Sequence, residues 1–396
     1  MSVYRNFEDS KRIVIFYYLP LFCQVASLYN MLFIYVGIRY LYYIVYLFAV
    51  AGLLLCKNHS KDLNPVSAKL AFLYIAIVFL LFPIHIYLSG NMAVSVIGML
   101  TYISPILFWF LYFLKGGAYY LEIMYALRYH VLIVALLAFL QYLSSPTLWG
   151  VISLESMLLE EASKTDLSQY SLFFRASSIL GSPQYLGMFM GLYSILFYSI
   201  CKKNAFNYIL FFIFIIAALL SGSKSCIMIL LLFFLYQMLF HGYFFKGIVF
   251  FSVAFILIFL FFEELPIITR VKDLEYLLDG EQERTSIYIY FLSRVNLIGN
   301  GMGTIQNILG TNASSRVAES YLLQLLYELG IIPFVIFMSI IIKKMLSKPF
   351  FIYSVILLFC LVIVHCFNGF VFFVFWGILF SNVPISSNLW GVKSDK

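Results

Sequence analysis

Residues 70–88 read LAFLYIAIVFLLFPIHIYL, and after Ser89-Gly90-Asn91 residues 92–114 read MAVSVIGMLTYISPILFWFLYFL. No Asp, Glu, Lys or Arg occurs between Leu70 and Leu114. Each run can carry a helix through the hydrocarbon core of a bilayer, which takes roughly 20 apolar residues. Backbone groups in lipid must satisfy one another, so helices are expected. The period-two alternation of a membrane barrel is absent. The reading that follows is two membrane helices joined by a tight turn.

The same pattern extends in both directions. The chain has 396 residues, 63% hydrophobic and 11% charged, and its mean hydropathy is +0.98. A soluble domain carries about a quarter charged residues and about half apolar ones. This composition excludes a cytosolic enzyme, a disulfide scaffold and a disordered tail. The net charge of +7 does not point to nucleic acid, because Lys and Arg are scattered between apolar runs. The six cysteines lie in or beside such runs, without metal-site spacing. The apolar run after the polar N-terminus lacks a small-residue cleavage site and reads as a permanent span.

The expected fold is an all-α polytopic membrane protein of about 12 transmembrane helices, with two large extracytoplasmic loops. Spans are predicted near 13–30, 38–56, 70–88, 92–114, 124–143, 181–200, 205–221, 225–241, 246–262, 319–342, 349–366 and 368–385. Arg39 splits the stretch 13–56 into two. The chain thus divides into N-terminal transmembrane helices (1–143), a first loop (144–180), central helices (181–262), a second loop (263–318) and C-terminal helices (319–396). Such long loops are unusual in compact proteins and tend to be functional. Leu154 to Leu159 and Ile287 to Leu292 have the pattern of short interfacial helices.

Basic residues orient the chain. With the N-terminus inside, sixteen Lys and Arg fall on the inner side and nine on the outer. Only three of the sixteen inner cations are Arg, against six of the nine outer ones. Lys serves topology equally well, whereas the planar fork of Arg suits phosphate and carboxylate. An Arg-rich outer face suggests a site for an anionic group. Pairing of those arginines with outer acids is the competing explanation.

Four outer motifs could carry chemistry. Arg175-Ala-Ser-Ser-Ile-Leu-Gly181-Ser182-Pro183-Gln184 sits where the first loop re-enters the membrane, with Ser182 a candidate helix cap. A helix N-terminus beside Arg175 would form an anion site, although an ordinary helix entry with an interfacial Arg fits too. Ser221-Gly222-Ser223-Lys224-Ser225 lacks the upstream glycine of a phosphate-binding loop. It reads as a turn offering small hydroxyls and Lys224 to a central cavity, or as a plain turn. Arg284 and Arg294 precede Gly299-Asn-Gly301-Met-Gly303, where glycines permit close backbone approach to a bulky ligand or simple loop flexibility. Glu319-Ser320-Tyr321, ahead of Glu328-Leu329-Gly330, places a carboxylate at the mouth of an apolar span, a costly and usually functional position. Tyr321 could stack on a sugar ring, and Glu319 could instead pair with Arg316.

Taken in order, these motifs resemble the O-antigen polymerase/ligase family over roughly residues 170–345. Family ligases commonly have His where this chain has Glu319, which favours the polymerase branch. Lys224 stands where the family pattern has Arg. The resemblance implies surface-polysaccharide synthesis from undecaprenyl-pyrophosphate-linked oligosaccharide repeats, outside the bacterial cytoplasmic (inner) membrane. It implies Glu319 as general base and Arg284 and Arg175 as catalytic cations, with Lys224, Arg294, Arg316, Gln184, Ser320, Tyr321, Gly301 and Gly303 contacting substrate. No cofactor or metal is expected. The expected partners are the lipid-linked sugar, membrane lipids, a chain-length regulator and a flippase. A ligase of the same family, or a flippase or transporter, is the alternative.

Overall fold

The computed structural model describes residues 2–30, 41–58, 65–144, 176, 178–180, 182–240, 285–305, 320–347, 350–363 and 370–382. Every regular element among them is helical. Three helical stretches are long and apolar enough to cross a membrane: Val66–Ser89, Met92–Leu114 and Tyr120–Leu143. Shorter apolar helices include Arg12–Leu28, Tyr43–Leu55, Ala205–Leu220, Lys224–Leu239 and Phe351–Ile363. Leu55, Leu80 and Phe48 are 89%, 75% and 74% exposed. A soluble surface avoids such apolar area, so these helices belong in a membrane.

The turn between the first two long stretches forms as the sequence predicts. Gly90 takes φ +66°, and the Asn91 side chain caps the second helix by accepting from the amides of Ala93 (2.9 Å) and Val94 (3.3 Å). That cap satisfies donors that a helix start leaves orphaned.

The chain forms two compact units, neither of which is one consecutive segment. The first comprises Met1–Ser27, Tyr42–Ile123 and Gly280–Pro384; the second comprises Leu28–Leu41, Met124–Asp279 and Ile385–Lys396. In the first, helix Pro65–Ser89 packs on Met92–Leu114 and on Ile331–Met345, which in turn packs on Phe351–Ile363. Its core is aromatic: Trp109, Tyr102, Tyr112, Tyr120, Tyr321 and Trp376 are fully buried. The indole N–H of Trp109 donates to the Phe373 carbonyl at 2.7 Å. In the second, helix Pro183–Ile200 packs on Ala205–Leu220 and Lys224–Phe240. There the rings of Tyr193, Phe197 and Phe214 interlock.

Several boundaries differ from the hydropathy reading. The run 319–342 is two helices, Tyr321–Leu329 and Ile331–Met345, broken at Gly330 with φ +90°. Hydropathy is blind to a backbone angle, and a left-handed glycine ends an α-helix without disturbing the apolar pattern. The run 368–385 contains a 3₁₀ helix, Phe370–Leu379. Gln24 contributes to that choice: its amide donates to the Val371 carbonyl (2.8 Å) and accepts from the Val374 amide (2.8 Å), taking groups from the backbone ladder. The run 124–143 begins earlier, at Tyr120, with a break at Leu127 between Tyr120–Ala126 and Arg128–Ser144. The first helix, Ser2–Leu28, takes in the polar N-terminus, and Leu41–Leu55 follows as a separate helix. The predicted span 246–262 lies outside the described residues.

Candidate functional site

In the first unit the third and fourth motifs come together. Residues 285–292 are helical. The turn that follows runs along the break at Gly330 and satisfies its loose backbone groups. The amides of Ile331 and Ile332 donate to the carbonyls of Asn296 (3.1 Å) and Leu297 (3.3 Å). The carbonyls of Tyr327 and Glu328 accept from the amides of Asn300 (2.9 Å) and Gly301 (3.3 Å). A broken helix in lipid is tolerated only when such groups find partners, and here a loop supplies them.

The glycines in this turn are sites of close approach. A side chain on Gly303 (φ +76°) would put its Cβ 2.5 Å from the Val94 carbonyl oxygen, and one on Gly98 would reach the Gly303 nitrogen at the same 2.5 Å. Gly301 (φ +113°) lies against the Ser89 backbone. These glycines therefore let the turn settle on the end of the Pro65–Ser89 and Met92–Leu114 hairpin. Gly301 and Gly303, expected to contact substrate, here lie against the backbone of Ser89 and Val94.

Glu328, fully buried, ties the turn down. Its Oε2 accepts from the Gly303 amide (2.7 Å) and the Tyr102 hydroxyl (2.9 Å), and its Oε1 from the Ile305 amide (2.8 Å). Sequence reading quotes Glu328 as part of a motif and gives it no task. The available signal was a carboxylate inside an apolar run, a costly placement that marks an interior partner.

Arg294 follows the 285–292 helix and is exposed. Its guanidinium lies 3.9 Å from the centre of the Tyr290 ring, bonds the Tyr290 hydroxyl and reaches the Tyr327 side chain. Asn300 fixes the local backbone by donating to the carbonyls of Arg294 (2.9 Å) and Tyr327 (3.1 Å). Leu297, 61% exposed, stands nearby in the same turn. A cation flanked by exposed apolar side chains suits an ionic group on a lipid tail.

Two expected substrate contacts take other roles. Ser320 caps helix Tyr321–Leu329, accepting from the Leu323 amide at 3.3 Å. Tyr321 is 1% exposed, with the rings of Tyr102, Phe337 and Trp376 packed around it at 5.8, 6.1 and 5.7 Å. Its apolar neighbours follow from its place on the buried face of a short helix, so no ring face is open for a sugar.

In the second unit the first two motifs meet. The Ala176 amide donates to the Leu220 carbonyl at 3.1 Å. A Cβ on Gly187 would meet Ser223 Cβ at 2.5 Å, so that glycine admits the 221–223 turn onto helix Pro183–Ile200. Ser221 and Ser223 are buried, and the Ser221 hydroxyl donates to the Ala218 carbonyl at 2.6 Å. The tight turn at Gly222 (φ +60°) brings these serines, expected to offer their hydroxyls to a cavity, against Gly187 of that helix. Lys224, the first residue of helix Lys224–Phe240, is exposed, and Gln184 is partly exposed near the start of its helix. Ser182 stands at the N-cap position but makes no side-chain cap bond, and Pro183 takes the first helical position.

Glu319, Arg284, Arg175 and Arg316 lie outside the described residues. Comparison with known proteins finds no matching family model, no matching curated protein and no matching solved structure.

Proposed function

We propose that the chain is a polysaccharide polymerase of the bacterial cytoplasmic membrane, crossing it about twelve times with its two long loops outside. It joins undecaprenyl-pyrophosphate-linked oligosaccharide repeats there, within an assembly line that includes a flippase and a chain-length regulator. An acceptor hydroxyl attacks the anomeric carbon of the donor repeat. The bond from that carbon to the pyrophosphate oxygen breaks, undecaprenyl pyrophosphate leaves, and the hydroxyl proton passes to Glu319. Arg284 and Arg175 stabilise the charge that grows on the leaving diphosphate, and Arg294 helps to hold it.

The observation that carries this reading is the exposed Arg294, stacked on Tyr290 beside exposed Leu297, in a turn docked on the Glu328-Leu329-Gly330 break. Sidedness supports it as well. Within the first unit, segments assigned outside touch each other, as at Gly301 and Ser89. Segments assigned inside do likewise, as where Lys115 donates to the Cys56 carbonyl at 2.5 Å.

A transporter reading draws on the helix break at Gly330, since carriers use discontinuous helices to bind ions or substrate. Here the freed amides and carbonyls are taken by residues 296–301, which disfavours that use. Replacing Arg284 or Arg294 by Ala in cells should shorten the ladder of glycan lengths, to single repeats for Arg284 and by a smaller degree for Arg294. A full-length ladder from the Arg284 variant at normal protein level would refute the reading. Repeats accumulating on the inner leaflet without the protein would instead indicate a flippase, and a full-length glycan left unattached to its final acceptor a ligase.

A further inference from the structure

We infer that Glu328 is a positioning residue: it seats the turn that carries Arg294, and so sets where that cation stands for the lipid-linked pyrophosphate. The inference rests on the glycosyl-transfer reading for its substrate. Its geometry stands apart from that reading.

Three alternate amides of the turn, those of Gly301, Gly303 and Ile305, all donate to this one residue, at 3.3, 2.7 and 2.8 Å. The first goes to its main-chain carbonyl and the other two to its carboxylate. Tyr102 holds the same carboxylate from helix Met92–Leu114 at 2.9 Å. One side chain thereby joins a membrane helix, a helix break and an outer turn. Arg294 is bound into the same seat, because Asn300 donates to both its carbonyl and that of Tyr327. Release of the carboxylate would leave amides 303 and 305 buried without acceptors, and the turn would have to lift to reach water.

No other acidic or amide side chain does this work equally well. Gln offers one acceptor oxygen and would turn an N–H toward an amide donor. Asp is one methylene shorter and cannot span the amides of residues 303 and 305 together with the Tyr102 hydroxyl. The glycines argue the same way, since Gly98 and Gly303 admit only backbone at this contact. The seat is built to one height.

The test compares Glu328→Ala, Glu328→Gln and Tyr102→Phe in the full-length protein, reconstituted in lipid nanodiscs. Amide exchange by mass spectrometry reads the seat, and extension of a purified undecaprenyl-pyrophosphate-linked repeat reads its consequence. Exchange at residues 301–305 should rise at least about tenfold in Glu328→Ala, less in Glu328→Gln and only a few-fold in Tyr102→Phe. Residues 334–345, whose amides bond within their own helix from Phe334 onward, should keep their protection in all three. Extension rates should fall in the same order. Unchanged exchange at 301–305, or exchange raised equally in residues 334–345, would overturn the inference while the wild-type protein stays active. Wild-type protein that extends no repeat would instead sink the glycosyl-transfer reading and, with it, the role in placing a pyrophosphate. Local exchange with undiminished extension in Glu328→Ala would likewise overturn the positioning role.

Discussion

The two compact units each seat a glycine-bearing turn on a helix, but they do so by different physics. In the first unit a buried carboxylate gathers amides from residues 303 and 305 and a phenol from residue 102. In the second, the 221–223 turn rests on Gly187 by close packing, aided by the Ala176 to Leu220 backbone bond and by short-range serine bonds. Small residues let backbones approach closely in membrane proteins, and packing then does the holding. A carboxylate adds direction at the cost of burying a polar group, which is worthwhile only when each acceptor is used. The contrast teaches that the first turn is anchored by a side chain from another segment, while the second rests mainly on close packing against a glycine.

Three substitutions would break or sharpen that contrast, measured as thermal unfolding of purified protein in detergent. The largest effect is expected from Gly303→Ala. The new Cβ would stand 2.5 Å from a backbone oxygen at φ +76°, where the left-handed conformation alone costs about 1–2 kcal/mol. Overpacking adds about 1–3 kcal/mol. Destabilisation below about 1 kcal/mol would mean the turn is free to shift, against the seated description.

Gly187→Ala should cost less, about 1–2 kcal/mol. Its clash is with Ser221 and Ser223 side chains, and alanine regains helix propensity. Ser221→Ala should not rescue it, because Ser223 Cβ remains in the way; full rescue would place the conflict at the hydroxyl alone. The smallest effect is expected from Ser320→Ala, about 1 kcal/mol for a lost cap. A much larger loss of polymer output than of stability in that variant would return Ser320 to a substrate role.

Hydropathy alone located the helices well where a span is uninterrupted. The Pro65–Ser89 and Met92–Leu114 hairpin is the clearest case, since its Ser-Gly-Asn turn contains its own cap. It failed at Gly330, where Tyr321–Leu329 ends and Ile331–Met345 begins without any change in apolar pattern. Of the candidate site residues, Ser320 and Tyr321 look polar and available in sequence. Burial is decided by neighbours hundreds of ångströms of chain away in an extended strand, and Tyr102 lies 219 residues before Tyr321 in sequence yet packs on it. The task of Glu328 is hidden from local sequence for a related reason: its Tyr102 partner is 226 positions distant.

What the sequence by itself determined is the solvent of this protein: long uncharged apolar runs must leave water, and in lipid, without the alternation of a barrel, they satisfy their backbone groups as helices. Only the tertiary structure decided which polar groups are tools and which are fastenings. A buried serine, tyrosine or glutamate is defined by the donors and acceptors that surround it, and those come from distant segments. The chemistry of each residue type is local, while the satisfaction of its hydrogen bonds is not.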